Sequence, residues 1–291
     1  MNYRTDLAIE SHEHTGRLPD GIDLKKNVHG SITEHILKIR TETAGKRLGK
    51  PAGIYITFEG LDFTEGFTDI RERAILISER IKKLLPKGHI LVAALGNERI
   101  TPDAIGVKSA SHILATRHIQ QEILRSCGLE GLRPVSVIGC GVTGNTGLEA
   151  AEIIKAVVSS TAPSAVIAID ALCAGSLTRL GNTVQISDTG IVPGSGIGNR
   201  RKALNRQTLG VPVISVGVPT VVDALTLAQE LSEDPDDIVR EGKRLYRGES
   251  MMVTPKETDI LCDRAARVVG AAVNLALQGD TDYDTLMALT A

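Results

Sequence analysis

The chain has 291 residues, 42% of them hydrophobic, enough for one large α/β domain or two small ones with a buried core. Its formal net charge of -2 gives no electrostatic reason to bind a phosphate backbone. With 2% aromatic residues and no Trp, it also lacks the rings of a single-stranded nucleic-acid platform.

Residues 1–50 are polar and hold four of the seven histidines, His12, His14, His29 and His35; residues 7–50 read as a peripheral arm. Short β-branched runs then alternate with amphipathic segments. The pattern predicts a strand over 53–58, a helix over 71–85, a strand over 89–94, a helix over 104–126 and a strand over 134–138. A helix over 148–159, strands over 165–169, 184–187 and 211–216, and a closing helix over 255–277 follow. Repeated strand-helix-strand units predict an α/β fold: a mostly parallel central sheet with helices on both faces and ligands beyond the carboxyl ends of its strands. No internal repeat or linker divides the chain, so one domain is expected. Cys127, Cys140, Cys173 and Cys262 form no C-x-x-C pair, which suits free thiols. No charge-free apolar stretch reaches membrane-spanning length, and residues 1–15 carry no signal-peptide core. A cytoplasmic protein without membrane or direct nucleic-acid partner is expected.

Two acids fall on the predicted ligand edge. The run Ile90 to Leu95 leads through a short loop to Thr101-Pro102-Asp103-Ala104, and Ile167-Ala168-Ile169 leads directly to Asp170-Ala171-Leu172. Thr101-Pro102-Asp103 is also a good helix start, with Thr as cap, Pro at the first position and an acid facing the positive end of the dipole. Asp170 has weaker local reasons to exist, because an acid ending an apolar strand is costly without a role. Glu149 with Thr146, and Glu257 with Thr254, have capping-box spacing and read as structural.

Gly139-Cys140-Gly141-Val142-Thr143-Gly144 is a literal G-x-G-x-x-G between a strand and a helix, with Asp170 ending the next strand. An NAD-binding oxidoreductase using Gly139, Gly141 and Gly144 is therefore one reading, although a second glycine turn at Gly147 intervenes before the helix. Pro193-Gly194-Ser195-Gly196-Ile197 lacks the flanking glycines of a nucleophile elbow. Gly194 and Gly196 read as a mobile loop, and Arg200, Arg201 and Lys202 as a basic turn able to hold an acidic group. There is no H-E-x-x-H and no histidine after His118, which leaves a metal site short of nitrogen ligands.

Several separate blocks together resemble the germination protease family of spore-forming bacteria. They include Arg4-Thr5-Asp6-Leu7-Ala8-Ile9-Glu10, Thr101-Pro102-Asp103-Ala104-Ile105-Gly106, Gly144-Asn145-Thr146-Gly147-Leu148-Glu149 and Ile169-Asp170-Ala171-Leu172. Further along stand Pro193-Gly194-Ser195-Gly196-Ile197-Gly198-Asn199, Gly217-Val218-Pro219-Thr220 and Met252-Val253-Thr254-Pro255. The resemblance implies a fold like that of hydrogenase maturation endopeptidases. It also implies an atypical aspartic endopeptidase, made as a zymogen and assembled as a homotetramer, that degrades small acid-soluble spore proteins in the spore without metal or other cofactor.

On that resemblance the essential aspartates are Asp103 and Asp170, and the glycine loops, Gly141, Gly144, Gly147, Gly194 and Gly196, become candidates for substrate and oxyanion contacts. The nicotinamide reading is demoted but stays open as an alternative, beside a nickel-dependent hydrogenase-type maturation peptidase, for which the sequence offers no obvious third ligand beside the two acids. Family substrates are cut after an acid in a T-E-(Ile or Phe)-A type segment, and Thr5-Asp6-Leu7-Ala8 has the same order. The expectation is self-cleavage between Asp6 and Leu7, with residues 1–6 a propeptide and 7–291 a single catalytic domain. The chain departs from the family pattern at Cys140, Cys173 and Gly175, and its 225–251 region is short.

Overall fold

The computed structural model describes residues 4–15, 18–64, 69–197, 201–232, 251–279 and 281–290. Their strands form one sheet: β1 (Ile22–His29), β2 (Ile32–Ile39), β3 (Gly53–Glu59), β4 (Ile90–Leu95), β5 (Val135–Cys140), β6 (Ala165–Ala174), β7 (Thr183–Ser187), β8 (Val213–Asp223) and β9 (Met252–Val253). The order across it is β1-β2-β3-β7-β8-β6-β4-β5, with β9 added to β8. The described helices are α1 (Ala8–Thr15), α2 (Glu42–Leu48), α3 (Ile70–Leu84), α4 (Ile105–Ala110), α5 (Gln121–Ser126), α6 (Thr143–Thr146), α7 (Ala150–Thr161), α8 (Arg206–Leu209), α9 (Ala224–Leu231), α10 (Thr258–Leu277) and α11 (Tyr283–Ala288).

The half that carries the predicted site is parallel: β5, β4, β6 and β8 run the same way. The other half is antiparallel, from β8 through β7, β3 and β2 to β1, so the sheet is mixed and most neighbouring pairs are antiparallel, not parallel as expected. The cause is local. β1 and β2 are joined by only Gly30-Ser31, and a connection that short returns the chain antiparallel, whereas parallel neighbours need a crossover. Residues 7–50 supply this hairpin together with α1 and α2, so they extend the sheet at its outer edge. Ile22, Leu37, Ile39 and Tyr55 bury a small core there with Ala8, Ala44 and Leu48.

Helices cover both faces, as expected. On one side α3 and α10 pack Ile77, Ile81, Val268 and Val269 onto Phe58, Val92, Ile167 and Val216. On the other, α7 packs Ile154 and Val158 onto Leu91, Ala93, Val166 and Ala168. The alternation along β6, with Ile167 and Ile169 in the first core and Val166 and Ala168 in the second, is the period-two signature of a strand buried on both sides. Each fully enclosed side chain such as Ile154 contributes about 2 kcal/mol of burial.

The predicted helix over 104–126 is two short helices, α4 and α5. The side-chain amide of Asn274, buried in α10, accepts from Leu114 N at 2.9 Å and donates to His112 O at 2.8 Å, drawing the chain out of helical geometry. Thr116 and Arg117 then donate their N–H groups to Val135 O. Among the described residues no helix is long and apolar enough to cross a membrane.

Candidate active site

The connections leaving β4 and β6 depart in opposite directions, β4 toward the β5 edge and β6 toward β7 and β8. This is a topological switch point, where an open α/β sheet leaves a crevice beyond its carboxyl ends. Both predicted aspartates stand at it.

Asp103 closes a 3-10 turn, Thr101–Asp103, laid back over the end of β4. Gly96 permits this: its φ is +122°, and a Cβ there would lie 1.9 Å from Asp103 O. The turn is tied down from β8 by Thr220 Oγ1, which donates to Pro102 O at 2.7 Å, and from α10 by Cys262 Sγ, which donates to Thr101 O at 3.2 Å. Thr254 Oγ1 in turn donates to Thr220 O at 2.9 Å. Thus the Gly217 to Thr220 and Met252 to Pro255 blocks meet at the turn that carries Asp103. Asp103 caps no helix. Its Oδ2 accepts from Asn97 N at 2.9 Å, and the Asn97 side chain accepts from Arg99 N and Asn145 Nδ2, both at 3.1 Å.

Asp170 lies within β6, paired with Gly217, on the face of Val166 and Ala168. It is 4% exposed, and its Oδ1 accepts from Ala171 N at 3.0 Å. The β6–β8 register slips between Leu172 and Cys173, a bulge of the kind that re-aims side chains beside functional sites.

A cavity of about 230 Å³ joins the two acids, with Asp6, Gly141, Gly194 and Arg201 also on its wall. Burial raises the Asp103 carboxyl above its ordinary value, against the Asn97 N–H and the Arg201 charge. Burial raises Asp170 well above its ordinary value, and the charges of Asp103 and Asp6 push it further. Both directions favour the neutral acid, more strongly at Asp170, which also meets the like charges.

A larger compartment of about 650 Å³ adjoins, sharing Asp6 and Asp170 with the first and lined also by the chain's own Arg4 and Thr5. Asp6 N donates to Cys173 O at 2.9 Å. Its carbonyl oxygen accepts from Lys50 Nζ at 2.9 Å and Gln185 Nε2 at 3.2 Å. Lys50 Nζ also reaches Thr5 O at 3.1 Å, and Gln185 Oε1 accepts from Ala8 N at 2.7 Å. Burial lowers the Lys50 ammonium from its ordinary value, with Asp6 and Glu10 opposing. Leu7 is fully buried against Ile9 and Leu172.

Beyond the cleft, Arg179 anchors α1. Its guanidinium donates to both Glu13 oxygens, at 2.6 and 2.7 Å, and to Glu59 at 2.7 Å, with Glu10 at 3.6 Å.

Of the other predicted site residues, Gly141, Gly194 and Arg201 reach the two-aspartate cavity, and Gly196 borders the larger compartment. Gly144 and Gly147 belong to the α6 turn and line neither space; Arg200 lies outside the described residues. The donors on the Asp6 carbonyl are side chains, Lys50 and Gln185, and not glycine N–H groups. The G-x-G-x-x-G opens a four-residue helix, and neither Gly139 nor Gly144 makes a close approach that demands glycine. A diphosphate therefore meets no long helix N-terminus there. The capping box predicted at Thr146 and Glu149 is instead one between Glu149 and Glu152. Among the described residues no group of three or more His, Cys, Asp or Glu side chains is arranged to hold a metal ion.

Reading residue types in sequence missed Lys50, Gln185 and Ser195. Ser195 stands in a glycine block noted for other reasons, Lys50 and Gln185 in no marked pattern, and each meets Asp6 across at least 44 residues of chain.

Fold and site together define an α/β protein that holds a peptide segment across the carboxyl end of its sheet, beside one buried and one half-buried aspartate. The germination protease family matches residues 4–239, and the chain belongs to that family, which makes it a peptidase of spore germination. It is 40% identical to the germination protease of Caldanaerobacter subterraneus subsp. tengcongensis, over 96% of this chain and 95% of that one. It is 40% identical to that of Clostridium tetani, over 96% of each. With the germination protease of Halalkalibacterium halodurans it shares 35% identity over 99% of this chain and 97% of the relative. Among solved structures, a NiFe hydrogenase maturation protease from Thermococcus kodakarensis aligns with a TM-score of 0.35 at 17% identity, covering 67% of this chain and 98% of that one.

Proposed function

We propose that the chain is an aspartic endopeptidase of the spore core that cuts small acid-soluble spore proteins after acidic residues. It is made as a zymogen that removes its own residues 1–6, and it works as a homotetramer. The observation that carries this reading is the convergence of three acids from distant parts of the chain, Asp103, Asp170 and Asp6, on one cavity at the switch point of the sheet.

The chemistry follows from the environments. Amide hydrolysis by a carboxylate pair needs one ionised acid to take a proton from water and one neutral acid to polarise the carbonyl or protonate the leaving nitrogen. Asp170, enclosed and crowded by two like charges, favours the neutral form. Asp103, less buried and hydrogen-bonded by Asn97 N–H, is the better site for the charge. In this assignment Asp103 activates the water and Asp170 supplies the proton, and the pair titrates as a unit.

Self-processing is supported by the position of the amino-terminal segment. Asp6 lines the same cavity as the aspartates, and its carbonyl carries two side-chain donors, which withdraw electrons from the carbon that water must attack.

The test incubates the purified chain with an acid-soluble spore protein, with and without chelator, and reads new termini by mass spectrometry. Expected are chelator-resistant cuts after Glu or Asp and loss of the chain's own first six residues at mildly acidic pH. Chelator-sensitive cleavage, or cuts unrelated to acidic residues, contradicts the proposal.

A further inference from the structure

The structure assigns a recognition subsite for the acidic side chain next to the cleaved bond: Ser195 Oγ and the backbone N–H of Cys173, closed by Gly196. This assignment rests on the reading of Asp6-Leu7 as a bond held in the manner of substrate. The Asp6 carboxylate shows the geometry. Ser195 Oγ donates to its Oδ1 at 2.6 Å, and Cys173 N donates to its Oδ2 at 2.9 Å.

The main chain of residue 6 is held as well, by its N–H on Cys173 O and by the Lys50 and Gln185 donors on its carbonyl. A substrate residue seated by the same backbone contacts presents its side chain to the same two donors, in the manner of a strand added along β6. Gly196 gives the slot its space. A Cβ at that position would lie 2.3 Å from Asp6 Oδ2 and 2.4 Å from Cys173 Cβ, so a side chain there occupies the place of the carboxylate.

The buried Lys50 ammonium meets the main-chain carbonyl of Asp6 and acts on its carboxylate through charge, while the carboxylate oxygens themselves are met by the two neutral donors. Hydrogen bonds from such donors to a carboxylate are roughly twice as strong as those to an amide of the same shape. The subsite therefore prefers Asp and Glu to Asn and Gln by hydrogen-bond strength, and Ser195 is its adjustable half. The larger compartment beside it leaves room for the longer Glu side chain. Ser195 is a specificity residue, and it takes no part in the water-activating step.

The experiment compares kcat/KM of the self-processed chain, its loss of residues 1–6 confirmed by mass spectrometry, on two internally quenched peptides that differ only by Glu or Gln at the position before the cut. Wild type, Ser195→Ala and Ser195→Thr are assayed; Ser195 is exposed, so the alanine variant folds. Ser195→Ala is expected to lower the Glu-over-Gln ratio roughly tenfold, acting almost wholly on the Glu peptide, and Ser195→Thr to restore most of it. An unchanged ratio in Ser195→Ala, or equal losses on both peptides, overturns the subsite while leaving the peptidase reading intact. A wild-type chain that cuts neither peptide, or both alike, overturns that reading and the subsite with it.

Discussion

Gly106→Ala sets helix propensity against packing at the helix that follows Asp103. Ala in place of Gly inside a helix is worth up to about 1 kcal/mol of intrinsic stability. At Gly106, however, the added methyl would lie 2.2 Å from Leu95 O and 2.5 Å from Ile169 O, backbone atoms of the two strands that flank the crevice. Ordinary contact begins near 3.4 Å, so α4 must recede from the sheet by roughly 1 Å. Neither strand can yield, since β4 and β6 are buried on both faces. Overpacking of this kind costs about 1–3 kcal/mol, which outweighs the propensity gain. Asp103 lies three residues before Gly106 and moves with it, while Asp170 stays on β6. A displacement near 1 Å between reacting groups costs about 100-fold in turnover. Urea unfolding and steady-state cleavage of a Glu-containing peptide are to be measured together. The expected result is a lower unfolding midpoint and a kcat down about 100-fold with little change in KM. A variant as stable as wild type with unchanged kcat would refute the claim that this close approach sets the position of Asp103.

Two further predictions concern buried charge. Asp170→Asn is expected to raise the unfolding midpoint at pH 7 and to lose that advantage near pH 4. Folded Asp170 keeps its proton to higher pH than the unfolded carboxyl, ordinarily near 3.8, so wild-type stability falls as pH rises above that value. An equal gain at both pH values would contradict the assignment. Arg179→Met is expected to cost about 3 kcal/mol at pH 7, because it strands the Glu10, Glu13 and Glu59 carboxylates that the guanidinium now joins. Burial pushes Glu59 up, but hydrogen bonds from His35 and Arg179 outweigh it and hold the carboxyl at about 2. That stabilisation is complete above the unfolded value of 4.5 and is lost as pH falls toward 2, so the variant's deficit should shrink at pH 3.

The parallel half of the sheet is legible in sequence because strands buried on both faces are uninterrupted apolar runs. Ile90 to Leu95 and Ala165 to Ile169 stand out for that reason, and so do the acids that end or follow them. The β1–β2 hairpin is hidden because one of its faces is wet. Lys25, Lys26 and Asn27 interrupt the alternation that Ile22 and Leu24 begin. The helix after Asp103 ends early for a reason no local pattern contains, the amide of Asn274 more than 150 residues away. Asp103 and Asp170 draw notice from where they fall relative to strands, but their expected role as a pair comes from the family resemblance. Lys50, Gln185 and Ser195 acquire meaning only when the folded chain brings them to Asp6.

The paired action of the two aspartates is tested most directly by the cleavage rates of Asp103→Asn, Asp170→Asn and the double variant on one spore-protein substrate. Groups that act as a unit are expected to lose nearly all their activity together. Each single variant should fall by at least about 100-fold, and the double should be little worse than either. A single variant that cuts at the wild-type rate, or losses that multiply in the double, would contradict a shared water-activating pair.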